Sequence, residues 1–323
     1  DMWRQVNRGE RLDGVAYADP AAFAALLRFT GPVTVPASGD RLTPDNAVDF
    51  LTRRQFEVLP QTGRGGEPLG DVIRDTLRRF TSGRLPAPAA LGRELGDVVR
   101  NGHLQFASLH AEDDPLLDAT GLRGAVERPG AGDLLAVLTR NANPSKIDAY
   151  LRRRITYDVA WNTATGETRA VLKVRLTNSA PASGLPGVVI DGAEGTPRGT
   201  NRTQLCVLSP LGVRTATVDG SPTGVGTLPE LRGVDRHCMF VDLPPGRTRT
   251  VQLNLLGTLG AGVPYLLQWT GQPTLGPDSV RITVTADRTT VDGGRIAAVR
   301  RPDAAADRLF RVVPDVYDRP TDT

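Results

Sequence analysis

Lysine is nearly absent: of 39 basic side chains only Lys146 and Lys173 are not arginine, and they face 36 acidic ones. The formal net charge of +3 argues against a nucleic-acid polyanion as partner, and the arginine bias is that of a high-GC genome. Cysteine is scarce too. Cys206 and Cys238 alone exclude a disulfide-dense scaffold, and neither has the C-x-x-C neighbour of a zinc site. His103, His110 and His237 are the only histidines on which a Ser-His-Asp or histidine-metal centre could draw. No Walker loop, Rossmann fingerprint or nucleophile elbow is present. No apolar run approaches the ~20 residues that cross a bilayer; the longest, Leu134–Leu138 and Leu253–Leu256, stop at polar residues or glycine. Asp1-Met2-Trp3-Arg4 is neither an initiator methionine nor a basic region before an apolar signal core. A fragment or processed form, with any anchor or signal upstream, is therefore expected.

What is present suffices for folding. A hydrophobic content of 39% excludes disorder, and 323 residues exceed the ~250–300 at which one core stops growing, which favours two domains. Over residues 1–145 short apolar strands alternate with helices whose ends are legible. Asp19-Pro20 caps and opens a helix carrying Phe23, Leu26 and Leu27 on one face, and Gly31-Pro32 stops it. Thr43-Pro44 opens a second helix; Pro68–Phe80 and Ala89–Arg100 repeat apolar residues at helical spacing. With strands at Leu12–Tyr17, Val33–Val35, His103–Ala107 and Leu134–Thr139, this half reads as α/β. Beyond Asn141-Ala142-Asn143-Pro144 the period becomes two. Ile155–Trp161 and Ala170–Leu176 alternate across a hairpin turn containing Gly166, and about six more short strands follow between Gly/Pro turns, the pattern of a β-sandwich over 146–290. Residues 291–323, rich in Arg, Asp, Ala and Pro, read as a C-terminal tail.

Cys206 and Cys238 each lie within a predicted strand. A disulfide between them implies an oxidising, extracytoplasmic setting; the alternative is two buried thiols. For chemistry, the notable stretch is Arg53-Arg54, then Arg64 in Gly63-Arg64-Gly65-Gly66, then Arg74, Arg78 and Arg79. A Gly-rich turn before a helix can present N–H groups to an anion, with Arg64 as a bidentate donor, so Arg53, Arg54 and Arg64 are phosphate-binding candidates. The competing reading makes these arginines solvated helix faces, which Arg74 and Arg78, four apart, fit well. The histidines read as surface or satisfied groups. Glu112-Asp113-Asp114 reads as capping of a helix led by Pro115, with Asp114 as N-cap.

Leu12-Asp13-Gly14-Val15 through Asp19-Pro20, Thr30-Gly31-Pro32-Val33, Leu42-Thr43-x-x-Asn46-Ala47-Val48, Ser145-Lys146-Ile147-Asp148-x-Tyr150-Leu151 and Leu176-Thr177-Asn178-x-Ala180-Pro181-x-x-Gly184-Leu185-Pro186 together resemble actinobacterial proteins carrying domain of unknown function 4012. That resemblance implies an extracellular region behind a membrane anchor and brings no settled activity. More distantly, the strand at Asp13–Tyr17, its helix, the Gly31-Pro32-Val33 turn and the Leu42–Leu51 helix ending in Arg53-Arg54 are similar to the second half of a LytR-CpsA-Psr domain. That family moves lipid-pyrophosphate-linked glycopolymers onto peptidoglycan. The similarity implies that Arg53 and Arg54 stand where that family's helix arginines grip the pyrophosphate, with Arg64 where a later one does. The Arg-Gln pair expected at the next helix start is replaced by Glu67-Pro68-Leu69-Gly70.

Two functions follow as expectations. The first is an α+β, two-domain envelope protein, its second domain an immunoglobulin-like sandwich closed by Cys206–Cys238. It needs no cofactor or metal and binds cell-wall glycopolymer or an envelope protein, not nucleic acid, meeting the membrane only through an upstream anchor. The alternative is a phosphotransferase acting on polyprenyl-pyrophosphate glycan through Arg53, Arg54, Arg64 and a divalent cation.

Overall fold

The computed structural model describes residues 12–59, 67–83, 86–124, 126, 130–231, 234–261, 265–276, 278–287, 295–300 and 308–312. The chain divides into two compact units, Asp1–Ala125 and Val126–Thr323.

In the first unit, β1 (Gly14–Ala18) leads into α1 (Pro20–Thr30). Asp19 caps α1 as expected, its Oδ1 accepting from the backbone N–H groups of Ala21 at 2.8 Å and Ala22 at 3.2 Å. Gly31, at φ 78°, takes the chain out of the helix where a side chain would be strained. Strands β2 (Val33–Thr34) and β3 (Arg41–Leu42) pair antiparallel. The next helix, α2, begins at Ala47, three residues past the expected Thr43-Pro44 opening, because the Asn46 side chain first accepts from the Thr43 N–H and closes a turn. Residues 50–54 of α2 are a π-helical turn before Gln55–Val58 completes it. The long helices α3 (Glu67–Ser82) and α4 (Pro88–Arg100) precede β4 (Leu104–Ser108) and α5 (Asp114–Thr120). Phe23, Leu27, Val35, Leu42, Phe50, Leu69 and Val72 share the core.

The pairing departs from the α/β expectation. Strands β1 and β4 form an antiparallel pair, as do β2 and β3, so among the described residues this unit holds two small antiparallel ribbons and no parallel sheet. Helix and strand periods identify the elements; they do not say which strands meet.

The second unit contains two sheets. One follows the order β10-β9-β13-β7-β6-β15-β16 and the other β11-β12-β8-β5-β14-β17. The strands are β5 (Asp133–Asn141), β6 (Leu151–Asn162), β7 (Glu167–Asn178), β8 (Asn201–Ser209), β9 (Gly212–Val218), β10 (Ser221–Pro222), β11 (Gly226–Leu231), β12 (Val234–Leu243), β13 (Thr248–Thr258), β14 (Tyr265–Thr270), β15 (Ser279–Asp287), β16 (Arg295–Arg300) and β17 (Arg308–Val312). A short helix, α6 (Gly187–Ile190), lies in the β7–β8 connection. Ile155, Tyr157, Val159 and Trp161 from one sheet and Leu135, Val137, Leu205, Val207 and Trp269 from the other fill one continuous core. The alternation in β6 and β7 therefore marks one face inward and one outward.

Two boundaries move. Strand β5, which the sequence places in the first domain, pairs with β8 and β14 inside the second unit, so the division falls at 125/126 and not 145/146. Its Asp133-Leu134-Leu135-Ala136-Val137 run is fully buried, as a continuous apolar stretch covered on both faces must be. The segment expected as a tail supplies β16 and β17, which pair antiparallel with β15 and β14.

Two polar clusters are sealed into this unit. The Asp133 carboxylate accepts from the Tyr157 hydroxyl at 2.8 Å and from that of Tyr265. Burial first, and then the Asp133 charge, push both phenols well above their ordinary pKa. Arg153 and Asp278, 2% and 1% exposed, form a two-pronged ion pair. Arg153 Nη1 also donates to the Val137 carbonyl, the Thr139 hydroxyl and Gln272 Oε1 at 3.1, 3.0 and 2.6 Å. Burial raises the Asp278 carboxyl pKa, and the Arg153 hydrogen bond and charge pull it part of the way back.

Candidate functional site

Of the phosphate-binding candidates, Arg53 and Arg54 lie among the described residues. Arg53 and Arg54 sit on the π-helical turn of α2 with about half of each side chain exposed. Each already has a carboxylate: Asp49 for Arg53, and Asp40, at 3.0 Å, for Arg54. Arg64 and its Gly63–Gly66 turn lie outside the described residues. On α3, Arg74 pairs with Asp71 at 2.6 Å and Arg78 with Asp75 at 3.1 Å, both exposed, and Arg79 is exposed as well. These pairs are what a solvated helix face produces.

The histidines and acidic residues serve structure. His103 Nδ1 contacts Asp19 Oδ2 at 2.5 Å, tying the segment before β4 to the α1 cap. His110 Nε2 meets Asp13 Oδ1 at 3.2 Å, and this hydrogen bond holds the imidazole pKa above its ordinary value. The Ser108 hydroxyl donates to Asp113 at 2.6 Å, so Ser108, His110 and the acidic run do not form a catalytic triad. Asp114 is the first residue of α5, not its N-cap; Asp113 holds the cap position, and Arg123 reaches Asp114 at 3.2 Å. The buried His237 contacts the Leu211 carbonyl and the Thr227 hydroxyl. No cluster of three or more metal-ligating side chains occurs among the described residues.

Cys206 and Cys238 are directly opposite on the antiparallel pair β8–β12, with Cα atoms 4.1 Å apart, and form a disulfide. The two-thiol alternative is thereby excluded, and no free cysteine remains.

A concavity lies elsewhere, on the outer face of the seven-stranded sheet. A depression of about 540 Å³ is lined by Asp158 and Ala160 of β6, Arg169 and Val171 of β7, Asn254 and Leu256 of β13, Arg214 of β9, and Thr283 and Thr285 of β15. Strand register lays these residues out in rows. Thr283, Asp158, Val171, Asn254 and Thr215 follow one another across five strands; the adjacent row reads Arg281, Thr156, Lys173, Gln252 and Thr217, and the next Ser279, Arg154, Arg175 and Thr250. The outward residues of these rows include no aromatic side chain. Most of the exposed lining is apolar, from residues such as Ala160, Val171 and Leu256, and Asp158, Arg169, Arg214, Asn254, Thr283 and Thr285 supply polar groups among it. Period-two alternation could have assigned Arg154, Lys173 and Arg175 to one face; the register that brings them together was not legible.

A family model described as a protein of unknown function, domain of unknown function 4012, matches residues 1–56, in support of the first three segments of that resemblance; those at 145–151 and 176–186 lie outside the match. No curated protein matches the chain. Among solved structures, the chain is similar to a nutrient-binding protein of Legionella pneumophila, at 7% identity and a TM-score of 0.33 over 56% of this chain and 72% of that one. It is also similar to an M1 zinc metallopeptidase of Deinococcus radiodurans, at 15% identity and a TM-score of 0.26 over 49% and 41%. It thus spans about two fifths of that metallopeptidase.

Proposed function

We propose that this chain is a binding protein of the cell envelope, acting outside the cytoplasm on cell-wall glycopolymer. The observation that carries this reading is the exposed depression on the seven-stranded sheet, which sets the polar groups of Asp158, Arg169, Arg214, Asn254, Thr283 and Thr285 within a mainly apolar lining. The Cys206–Cys238 disulfide supports the compartment, because such bonds persist where the surroundings are oxidising. To the same proposal belong the finer parallels: an actinobacterial source, a first unit resembling half of a LytR-CpsA-Psr domain, and an immunoglobulin-like second unit. The phosphotransferase alternative gains nothing from Arg53 and Arg54, whose charges are met by Asp49 and Asp40.

Co-sedimentation of the full chain with purified actinobacterial walls tests the reading. Retention by walls that survives a washed, protein-free control is expected. Absence of retention across all wall preparations would remove it.

A further inference from the structure

Arg154 of β6 is directly opposite Arg175 of β7 on the outer face of the sheet. Like charges in that position repel, and sheets ordinarily avoid them. Lys173 stands two residues from Arg175 on the same strand, and Arg281 of β15 occupies Lys173's row on the far side of Thr156. All four side chains are exposed, and none has a carboxylate within ion-pairing distance among the described residues. Elsewhere Arg53, Arg54, Arg74, Arg78, Arg100, Arg169, Arg198 and Arg249 each hold an acidic partner. Nearby, Arg152 turns back to donate to the Ala149 and Leu151 carbonyls. Asp158, in the next row, is diagonal to both Lys173 and Arg281 and neutralises at most one of four charges. Rows are two residues apart along a strand, ~7 Å, and neighbouring strands lie ~4.8 Å apart. The cluster therefore spans three strands and two rows, an area of about 10 by 7 Å.

We propose that Arg154, Lys173, Arg175 and Arg281 form a binding site for the phosphodiester groups of an extended anionic glycopolymer. The assignment rests on the envelope-binding reading and names its ligand class. Arginine matches phosphate oxygens with paired N–H donors. The depression begins one row away, where Thr283, Thr285 and Asn254 can accept and donate to the hydroxyls of the polymer's uncharged units. A bilayer fits the surface less well, because no exposed large apolar residue belongs to these rows to insert into it. A single-stranded nucleic acid fits poorly too, because the face lacks the aromatic rings on which bases stack.

The test compares the full chain with its Arg154→Thr/Arg175→Thr and Lys173→Thr/Arg281→Thr variants, and with Arg175→Gln should a double variant fail to fold. Probes are poly(glycerol phosphate), neutral dextran, phosphatidylglycerol vesicles, oligo(dT), and walls before and after hydrofluoric-acid removal of phosphodiester polymer. The expected result is binding to poly(glycerol phosphate) and intact walls that weakens about tenfold in each double variant and falls steeply between about 50 and 300 mM salt. The unfolding midpoint of Arg154→Thr/Arg175→Thr should be unchanged or raised, since a like-charge contact is relieved. Equal binding by wild type and variants, equal binding to dextran, or preference for vesicles or oligo(dT) overturns the assignment. Undiminished retention on stripped walls, insensitive to these variants, sinks this site and leaves the envelope-binding reading standing; retention by no wall at all sinks both.

Discussion

Replacing Arg153 by methionine should destabilise the second unit by about 3–5 kcal/mol, the cost of leaving one partner of a buried ion pair alone. The structure says why the upper part of that range is expected. Asp278 would lose both of its guanidinium donors, and the Val137 carbonyl, Thr139 hydroxyl and Gln272 carbonyl would lose Nη1. The deficit should also depend on pH. The Asp278 carboxyl pKa is already raised by burial, with Arg153 restraining it; without Arg153 it rises further above the ~3.9 of an unfolded aspartate. Between those two values the folded state binds more protons than the unfolded state, so stability falls as pH rises through the window and returns on acidification. The cost of Arg153→Met should thus be smaller near pH 4 than near pH 8, by ~1.4 kcal/mol for each unit by which the pKa has risen. Denaturant unfolding followed by tryptophan fluorescence measures this directly, because Trp161 and Trp269 both lie in the core between the sheets. The double variant Arg153→Met/Asp278→Leu should recover part of the loss. A deficit below ~1 kcal/mol, or one that does not change with pH, would refute the account of a sealed, uncompensated carboxylate.

Three further outcomes follow from features of the same unit. Denatured, unreduced protein should show no titratable thiol, and Cys206→Ala/Cys238→Ala should lose up to about 3.7 kcal/mol of stability, the loop-entropy value for the 32-residue separation. Asp133→Leu leaves the Tyr157 and Tyr265 hydroxyls buried without their acceptor and should cost ~2–4 kcal/mol in the same unfolding assay; a neutral result would mean water reaches the cluster. Gly166→Ala should destabilise by ~1–3 kcal/mol in thermal unfolding, since φ is +74° and a Cβ there would come within 2.1 Å of the Leu259 carbonyl oxygen.

Elements with strong local causes are legible in the sequence. The Asp19 cap, the Gly31 stop, the long helices of the first unit and the β6–β7 hairpin all follow from residues within one or two turns of each other. The errors lie where distant residues decide. Nothing near Leu134–Thr139 says that its partners are β8 and β14, about 60 to 135 positions further on, so the sequence alone places β5 with the first domain. The tail had the composition of a surface segment, yet the open edges beside β14 and β15 take strands from it. For the site, the near-zero overall charge averages over local differences. Acidic residues pair with arginines across much of the surface, while the outer rows of one sheet keep a local excess that only the register of β6, β7 and β15 brings together.

Both sheets contain one parallel pairing, β5 with β14 and β6 with β15, and each joins residues more than 110 positions apart. The sealed clusters bridge the same separations: Tyr265 closes on Asp133 and Asp278 on Arg153. Folding of this unit must therefore wait for the end of the chain. A nascent polypeptide that has emerged only to about residue 260 lacks β14 and β15, so β5 and β6 each keep one bare edge. Until the last strands arrive those edges leave it exposed enough to aggregate. The two strands that complete the core thus also set the moment at which the protein becomes safe from its neighbours.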